Sequence, residues 1–399
     1  MYKQMFEEKI INLKNEGNYR YFNEISRINN EYPKAHGKND DEVLVFCSND
    51  YLGMSQNNNV TENMKIAIDK HGAGAGGSRN IGGSHRYFNE LETEIAEWHM
   101  KERALVFPTG YSSNDATIQG LLRVFPEMVV FSDSKNHASI INGIRSTKNK
   151  KEIFEHNSLK SLEDCLCKYD EDIPKIIIFE SIYSMDGDIA PIKGIISLAK
   201  KYNALTFIDE VHAVGMYGPS GAGYSEYLGV QKEIDIIQST MAKGIGIIGG
   251  YIAGSSEIID VIRSFSSGFI FTTALPPCIV SGCLTSIRHL KNSNYEREML
   301  HKNTEYLRKE LDINRIRVFE ESESHILPII IGDSHKCKQA SDILLRNYKI
   351  YVQPINSPTV EIGTERFRVN VTPNHTKEQM DYFVKSLVEV FKSLDIKLI

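Results

Sequence analysis

The run Ile208-Asp209-Glu210-Val211-His212 puts an acid and a histidine at the end of an apolar stretch, and Ser239-Thr240-Met241-Ala242-Lys243-Gly244 puts a hydroxyl and then an amine after another. A carboxylate keeps an adjacent aromatic nitrogen protonated, and a lysine amine condenses with an aldehyde to a Schiff base. Those two services are what pyridoxal phosphate needs from a protein. Other segments offer the remaining contacts. Thr109-Gly110-Tyr111 stands between an apolar run and a helical one, where backbone N–H groups and the helix dipole favour a phosphate. Asn136-His137-Ala138-Ser139 stands in the same kind of place, and its histidine supplies a planar ring to cover a cofactor face.

The elements that must carry these groups follow from periodicity. Short apolar, β-rich runs alternate with longer helical ones, which predicts an α/β fold with a mostly parallel sheet wrapped by helices. Strands are expected at 104–107, 129–132, 176–180, 206–209, 236–239 and 250–253, and most are apolar throughout, as strands buried on both faces should be. Helices are expected at 87–100, 114–124, 158–169 and 192–202. After Pro276-Pro277 a long helical spine is expected through Leu290 and Glu296–Leu311, then a smaller α/β unit with strands near 326–331 and 367–371 and a closing helix at 377–394. In open α/β sheets ligands bind beyond the carboxyl ends of the strands, where the candidate residues fall.

Glu180 to Asp188 follows one such end and reads as a Gly/Asp turn. The glycine-rich run Gly72 to Gly83 is longer than a single turn needs. No apolar strand leads into it, so it is not a dinucleotide fingerprint; close approach of a bulky ligand or a second subunit explains the glycines better.

Bulk properties remove other classes. The chain has 399 residues, 41% of them apolar, and a net charge of −6, so a broad basic field for nucleic acid is not expected. Its six cysteines are scattered, and the one close pair, Cys165 and Cys167, falls at alternate positions of an expected helix. No metal site and a reduced, cytoplasmic protein are therefore expected. Residues 1–17 read as an amphipathic helix lying on a partner surface, without the apolar core of a signal peptide. Thr272, Thr273 and Pro276-Pro277 interrupt the most apolar long window, so no membrane span is expected.

Six segments, in order and spacing, resemble the α-oxoamine synthases: Asn49-Asp50-Tyr51-Leu52-Gly53, Gly76-Gly77-Ser78-Arg79-Asn80, Asn136-His137-Ala138-Ser139, Ser184-Met185-Asp186-Gly187, Asp209 to Gly215, and Thr240-Met241-Ala242-Lys243. These are fold-type I pyridoxal-phosphate enzymes that condense an amino acid with an acyl-CoA and release CO2. Glu16-Gly17-Asn18-Tyr19-Arg20, Val211 to Pro219, Tyr351 to Asn356 and Gly363 to Arg366 are similar to the branch that joins glycine to succinyl-CoA. Members taking another amino acid or acyl-CoA remain the alternative.

The resemblance implies an N-terminal arm at 1–45, a large cofactor-binding domain at 46–290 and a small domain at 291–399. It implies that Lys243 binds the cofactor aldehyde and moves the α-proton, Asp209 holds the ring nitrogen, His212 bonds the ring oxygen, Ser184 supports the bound substrate and His137 stacks over the ring. Gly110, Tyr111 and Thr240 would hold the phosphate, with Thr272 and Thr273 reaching in from the other subunit of a homodimer. Arg368 would grip the amino-acid carboxylate, Asn49 and Tyr51 would line the amino-acid side, and Arg20, Ser78, Asn80 and Thr359 would hold the succinyl tail. The chain departs from the family at Ser78, where threonine is usual. It departs again at Met241-Ala242 and Gly244-Ile245 beside the lysine, where an aromatic is lost next to the cofactor, and at Ser357 and Glu361-Ile362 in the expected lid.

Overall fold

The computed structural model describes residues 1–398. Two compact units divide the chain: Asn49–Ser184 with Ile189–Arg297 form the larger, and Met1–Ser48, Met185–Asp188 and the chain from Glu298 onward form the smaller.

The larger unit is built on seven strands, β1 (Arg103–Phe107), β2 (Val129–Asp133), β3 (Lys151–Phe154), β4 (Lys175–Glu180), β5 (Ala204–Asp209), β6 (Ile236–Thr240) and β7 (Gly250–Gly254). Their order is β1-β7-β6-β5-β4-β2-β3. β7 runs antiparallel to both of its neighbours, while the β2–β3, β2–β4, β4–β5 and β5–β6 pairs are parallel. The expected mostly parallel sheet is therefore present. Continuous apolar runs are explained by burial on both faces. Ile176 and Ile178 pack with Leu105, Ile118 and Phe207 in one cluster, whereas Ile177 and Phe179 pack with Ile195, Ile208 and Ile237 in another. β3 was not expected because three of its four residues stay at least partly exposed and its sequence is Lys-Glu-Ile-Phe, so no apolar run marks it.

The smaller unit holds a three-stranded sheet in which Arg366–Val369 lies between Leu327–Ile330 and Pro354–Ile355. A second sheet pairs Ser26–Arg27, Lys34–His36, Glu42–Val45 and Ile350–Tyr351. The three N-terminal strands were not expected; at two to four residues each they are too short to show a period. The closing helix Lys377–Ser393 starts with a capping box between Thr376 and Gln379 and buries Phe383, Leu387 and Phe391. The expected spine is two helices, Pro277–Asn292 and Tyr295–Ile313. Helix Tyr2–Asn15 buries none of its residues. Among the described residues no helix is long and apolar enough to cross a membrane.

Candidate active site

β5 ends at Asp209 and β6 at Thr240, and their pairing sets Asp209 opposite Gln238, so two distant sequence motifs meet at the carboxyl ends of neighbouring strands. Asp209 is 3% exposed. Its carboxylate accepts from Asn114 Nδ2 at 2.7 Å and from the Val211 N–H at 2.9 Å. Glu210 is turned elsewhere and accepts the Tyr224 and Ser225 N–H groups at 2.9 and 2.8 Å, capping the short helix Tyr224–Tyr227. Adjacent acids thus have separate jobs because successive side chains at a strand end leave on opposite sides.

Lys243 Nζ lies 2.7 Å from His212 Nε2, and His212 Nδ1 lies 2.9 Å from the Tyr51 hydroxyl, which donates to Asn49 Oδ1 at 3.2 Å. The contacts running from Asn49 through Tyr51 to His212 fix the place of the imidazole beside Lys243. Tyr51 is fully buried, so this arrangement is held by packing as well as by hydrogen bonds.

His137 begins helix Ala138–Arg145. Its Nδ1 is bonded to Ser139, at 2.8 Å from Oγ and 3.2 Å from the N–H. Burial holds its pKa below the usual histidine value, opposed by the charge of Asp209 and aided by Lys243. Burial raises the Asp209 carboxyl, against the Asn114 and Val211 hydrogen bonds and the charges of His137 and Lys243. A buried acid pushed up in this way gains most from a cation placed against it.

Helix Gly110–Val124 is capped by Thr109, whose hydroxyl takes the Ser112 N–H at 3.0 Å while Ser112 Oγ takes the Thr109 N–H at 3.1 Å. This leaves the Gly110 and Tyr111 N–H groups of the first turn for an anion. Gly110 is obligatory there, since a Cβ would lie 2.8 Å from Thr240 Cβ. Thr240 Oγ1 donates to Gly249 O at 2.8 Å and accepts the Ala242 N–H at 3.2 Å, which shapes the turn before Lys243.

A cavity of about 150 Å³ collects Gly110, Tyr111, His137, Asp209, His212, Thr240 and Lys243. It also includes Asn114, Ser139, Glu180 and Val211, which sequence reasoning missed. Asn114 had a signal, one helical turn beyond Gly110; Glu180 was read only as the start of a turn. The chemical set is an amine, a buried acid short of a cation, a planar ring and a helix N-terminus. It fits pyridoxal phosphate group by group.

Other expected residues lie apart from this cavity. Ser184 is half-buried in the turn after β4. Ser78 pairs with Thr273, and Thr272 and Thr273 border a different cleft beside Arg79 and Phe88. Asn80 is exposed in a wide turn where Ser78 O receives the Ile81, Gly82 and Gly83 N–H groups. Of the glycines before it, Gly72, Gly74 and Gly76 face open space, whereas a Cβ on Gly83 would fall 2.4 Å from Gly77 O. The departures beside the lysine have packing explanations. A Cβ on Gly244 would lie 2.3 Å from Val214 O, and Met241 and Ile245 are fully buried and do not line the cavity.

The smaller unit holds the arginines. Along Arg366–Val369, Phe367 and Val369 enter the core and Arg366 and Arg368 share the opposite face. Arg366 Nη1 is paired with Asp186 Oδ1 at 2.5 Å; Arg368 is 7% exposed. Arg20 Nη2 donates to Thr359 Oγ1 at 3.0 Å, and both border a cavity of about 240 Å³ with Asn18, Lys338, Gln353 and Ser357.

The family described as aminotransferase class I and II matches residues 41–387. A 5-aminolevulinate synthase of Rhizobium meliloti (strain 1021) is 51% identical over 97% of this chain and 96% of its own length, and one of Rickettsia bellii (strain RML369-C) is 49% identical over 100% and 95%. Among solved structures, a Sphingomonas wittichii serine palmitoyltransferase superposes with a TM-score of 0.91 at 26% identity, over 99% of this chain and 98% of that one. A structure of SPT with PLP superposes equally well at 27% identity, over 98% of each chain. With half of its residues shared along nearly its whole length, the chain belongs to the 5-aminolevulinate synthase family, within the class I and II aminotransferases.

Proposed function

We propose that the chain catalyses the decarboxylating condensation of glycine with succinyl-CoA to 5-aminolevulinate, CoA and CO2, as an acyltransferase dependent on pyridoxal 5'-phosphate. What carries the reading is the gathering of Lys243, Asp209, His212 and His137 around one cavity, in a chain about half identical to 5-aminolevulinate synthases from end to end.

Lys243, Asp209, His212 and His137 would hold the cofactor at its aldehyde, ring nitrogen, ring oxygen and ring face, and the Gly110 and Tyr111 N–H groups with Thr240 would hold its phosphate. When bound, the cofactor supplies an aldehyde that takes the substrate amine and a cationic ring that withdraws electrons from the α-carbon. The ring nitrogen's charge is what the buried Asp209 is set to balance. Lys243 Nζ accepts the glycine α-proton and later returns one, and its 2.7 Å contact with His212 Nε2 keeps the amine directed. His137, neutral through burial, covers the ring without adding a competing charge. Asn49, Tyr51 and Ser184 are assigned to the amino-acid side.

Substrate choice falls to the carboxylates. Arg368 is assigned to that of glycine and Arg20, with Ser78, Asn80 and Thr359, to that of the succinyl tail, using the planar fork suited to that anion. The protein is read as a cytoplasmic homodimer in which Thr272 and Thr273 complete the other subunit's phosphate site; six free thiols accord with a reducing compartment.

Purified protein offered glycine, alanine or serine with acetyl-, propionyl-, succinyl- or octanoyl-CoA should release CoA fastest with glycine and succinyl-CoA. Failure of that pair while another succeeds would replace the substrate assignment with a different member of the same reaction class.

A further inference from the structure

Three adjacent strands, β2, β4 and β5, end on buried carboxylic acids: Asp133, Glu180 and Asp209. Two of them carry several donors of their own. Asp133 meets His156 Nδ1 at 2.8 Å and accepts the Lys135 and Asn157 N–H groups at 2.8 and 3.0 Å. Asp209 has Asn114 and the Val211 N–H. Glu180 stands in register beside Asp209, is 2% exposed, and takes the His137 N–H on Oε1 at 2.6 Å. It borders the same cavity as the cofactor groups and has no role among those assigned above.

We propose that Glu180 is a positioning residue: it anchors the backbone of His137, and so the ring, and leaves the negative charge of the cavity to Asp209 alone. The inference rests on the cofactor reading just given. Two carboxylates buried side by side cannot both ionise cheaply, and the one with more N–H donors keeps the charge. The groups facing Glu180 are Asp209, Asp133 and Tyr183 on one account and His137 and Lys243 on the other. Burial first, then the charge of Asp209, holds the Glu180 carboxyl well above the usual carboxylate range, against the His137 N–H and Lys243.

A protonated acid still offers a carbonyl oxygen to the His137 N–H, so the anchor survives neutralisation. The ring itself is turned by Ser139, which means that backbone and ring are fixed by different partners. An ionised Glu180 would instead put a second negative charge near Lys243 and raise the pH at which the lysine–cofactor linkage loses its proton.

The test uses full-length wild-type protein, Glu180→Gln and Glu180→Ala, each loaded with pyridoxal phosphate. Cofactor dissociation constant and the pH midpoint of the visible band are read together with kcat and KM. Gln keeps the acceptor without charge and should hold the midpoint within about 0.3 pH units of wild type. Ala should weaken cofactor binding about tenfold or more and lower kcat, with Gln recovering most of the loss. A midpoint about one unit lower in Glu180→Gln would mean that Glu180 carries charge and would overturn the proposal; so would equal cofactor affinity in the Gln and Ala variants. If the Ala variant folds poorly, the Gln midpoint alone decides. A wild-type protein that forms no visible band would sink the cofactor reading together with this inference, whereas failure confined to the variants sinks only the inference.

Discussion

The larger unit makes its polar site from strand ends and helix starts, and the smaller unit makes its polar cavity mostly from irregular segments laid against the helix Ser334–Tyr348. Asp209, Glu180 and His212 are at most 3% exposed and sit where β4 and β5 finish or just beyond, each held by hydrogen bonds of 2.6 to 2.9 Å. Arg20 and Thr359 are exposed side chains that meet across segments without regular structure. Moving a proton requires fixed distances and shifted pKa values, which burial against a rigid sheet supplies. Gripping the carboxylate at the end of a flexible tail requires charge and a planar fork, which tolerate exposure.

The difference is open to attack from its strongest side. Lys243→Ala removes the amine on which the larger unit's site is centred, and activity with glycine and succinyl-CoA should fall at least a thousandfold, roughly, with loss of the visible band on cofactor addition. A variant that kept the band would show that another amine binds the aldehyde.

Arg20→Ala should act more gently and selectively. KM for succinyl-CoA should rise about tenfold with kcat altered less, and the preference over butyryl-CoA, whose tail carries no charge, should narrow. Equal losses with both acyl donors would show that Arg20 serves folding rather than the tail carboxylate.

A further effect, on stability and not on activity, is one in which the units should behave alike. His99 in the larger unit and His375 in the smaller are buried, and burial lowers both pKa values from 6.5 to about 3. His375 Nδ1 accepts the Thr372 N–H and Nε2 donates to Val45 O, so the neutral ring is the one that fits. The unfolded chain takes up these protons near pH 6.5 while the folded chain does not. The stabilisation is therefore complete above pH 6.5 and is lost as pH falls towards 3, at about 1 kcal/mol per pH unit for each ring. Urea unfolding between pH 7 and 4 should show this slope, shallower in His99→Gln and in His375→Gln; an unchanged slope in both would assign the acid sensitivity to the carboxylates.

How legible each part was follows the same division. β4 and β5 could be read because Ile176 to Phe179 and Phe207-Ile208 are buried on both faces and stay apolar without a break. β3 and the strands before Ser48 could not, since partly exposed or very short segments carry no period. Lys243, Asp209, His212 and His137 announced themselves by residue type at motif positions. Glu180 did not, because a glutamate before Ser-Ile-Tyr looks like a turn residue until its neighbour across the sheet is known.

By itself the sequence determined the α/β class, the apolar runs that had to become sheet, and which side chains had the chemistry for a cofactor with an aldehyde, a cationic ring and a phosphate. Tertiary structure decided that Glu210 turns away to cap the helix at Tyr224, that Tyr51 and Asn49 hold His212 in place beside Lys243, and that Glu180 lies beside Asp209. Residue type and period are local properties of a chain. A protonation state depends on what strand pairing and burial bring within 3 Å, and that is settled only when distant segments meet.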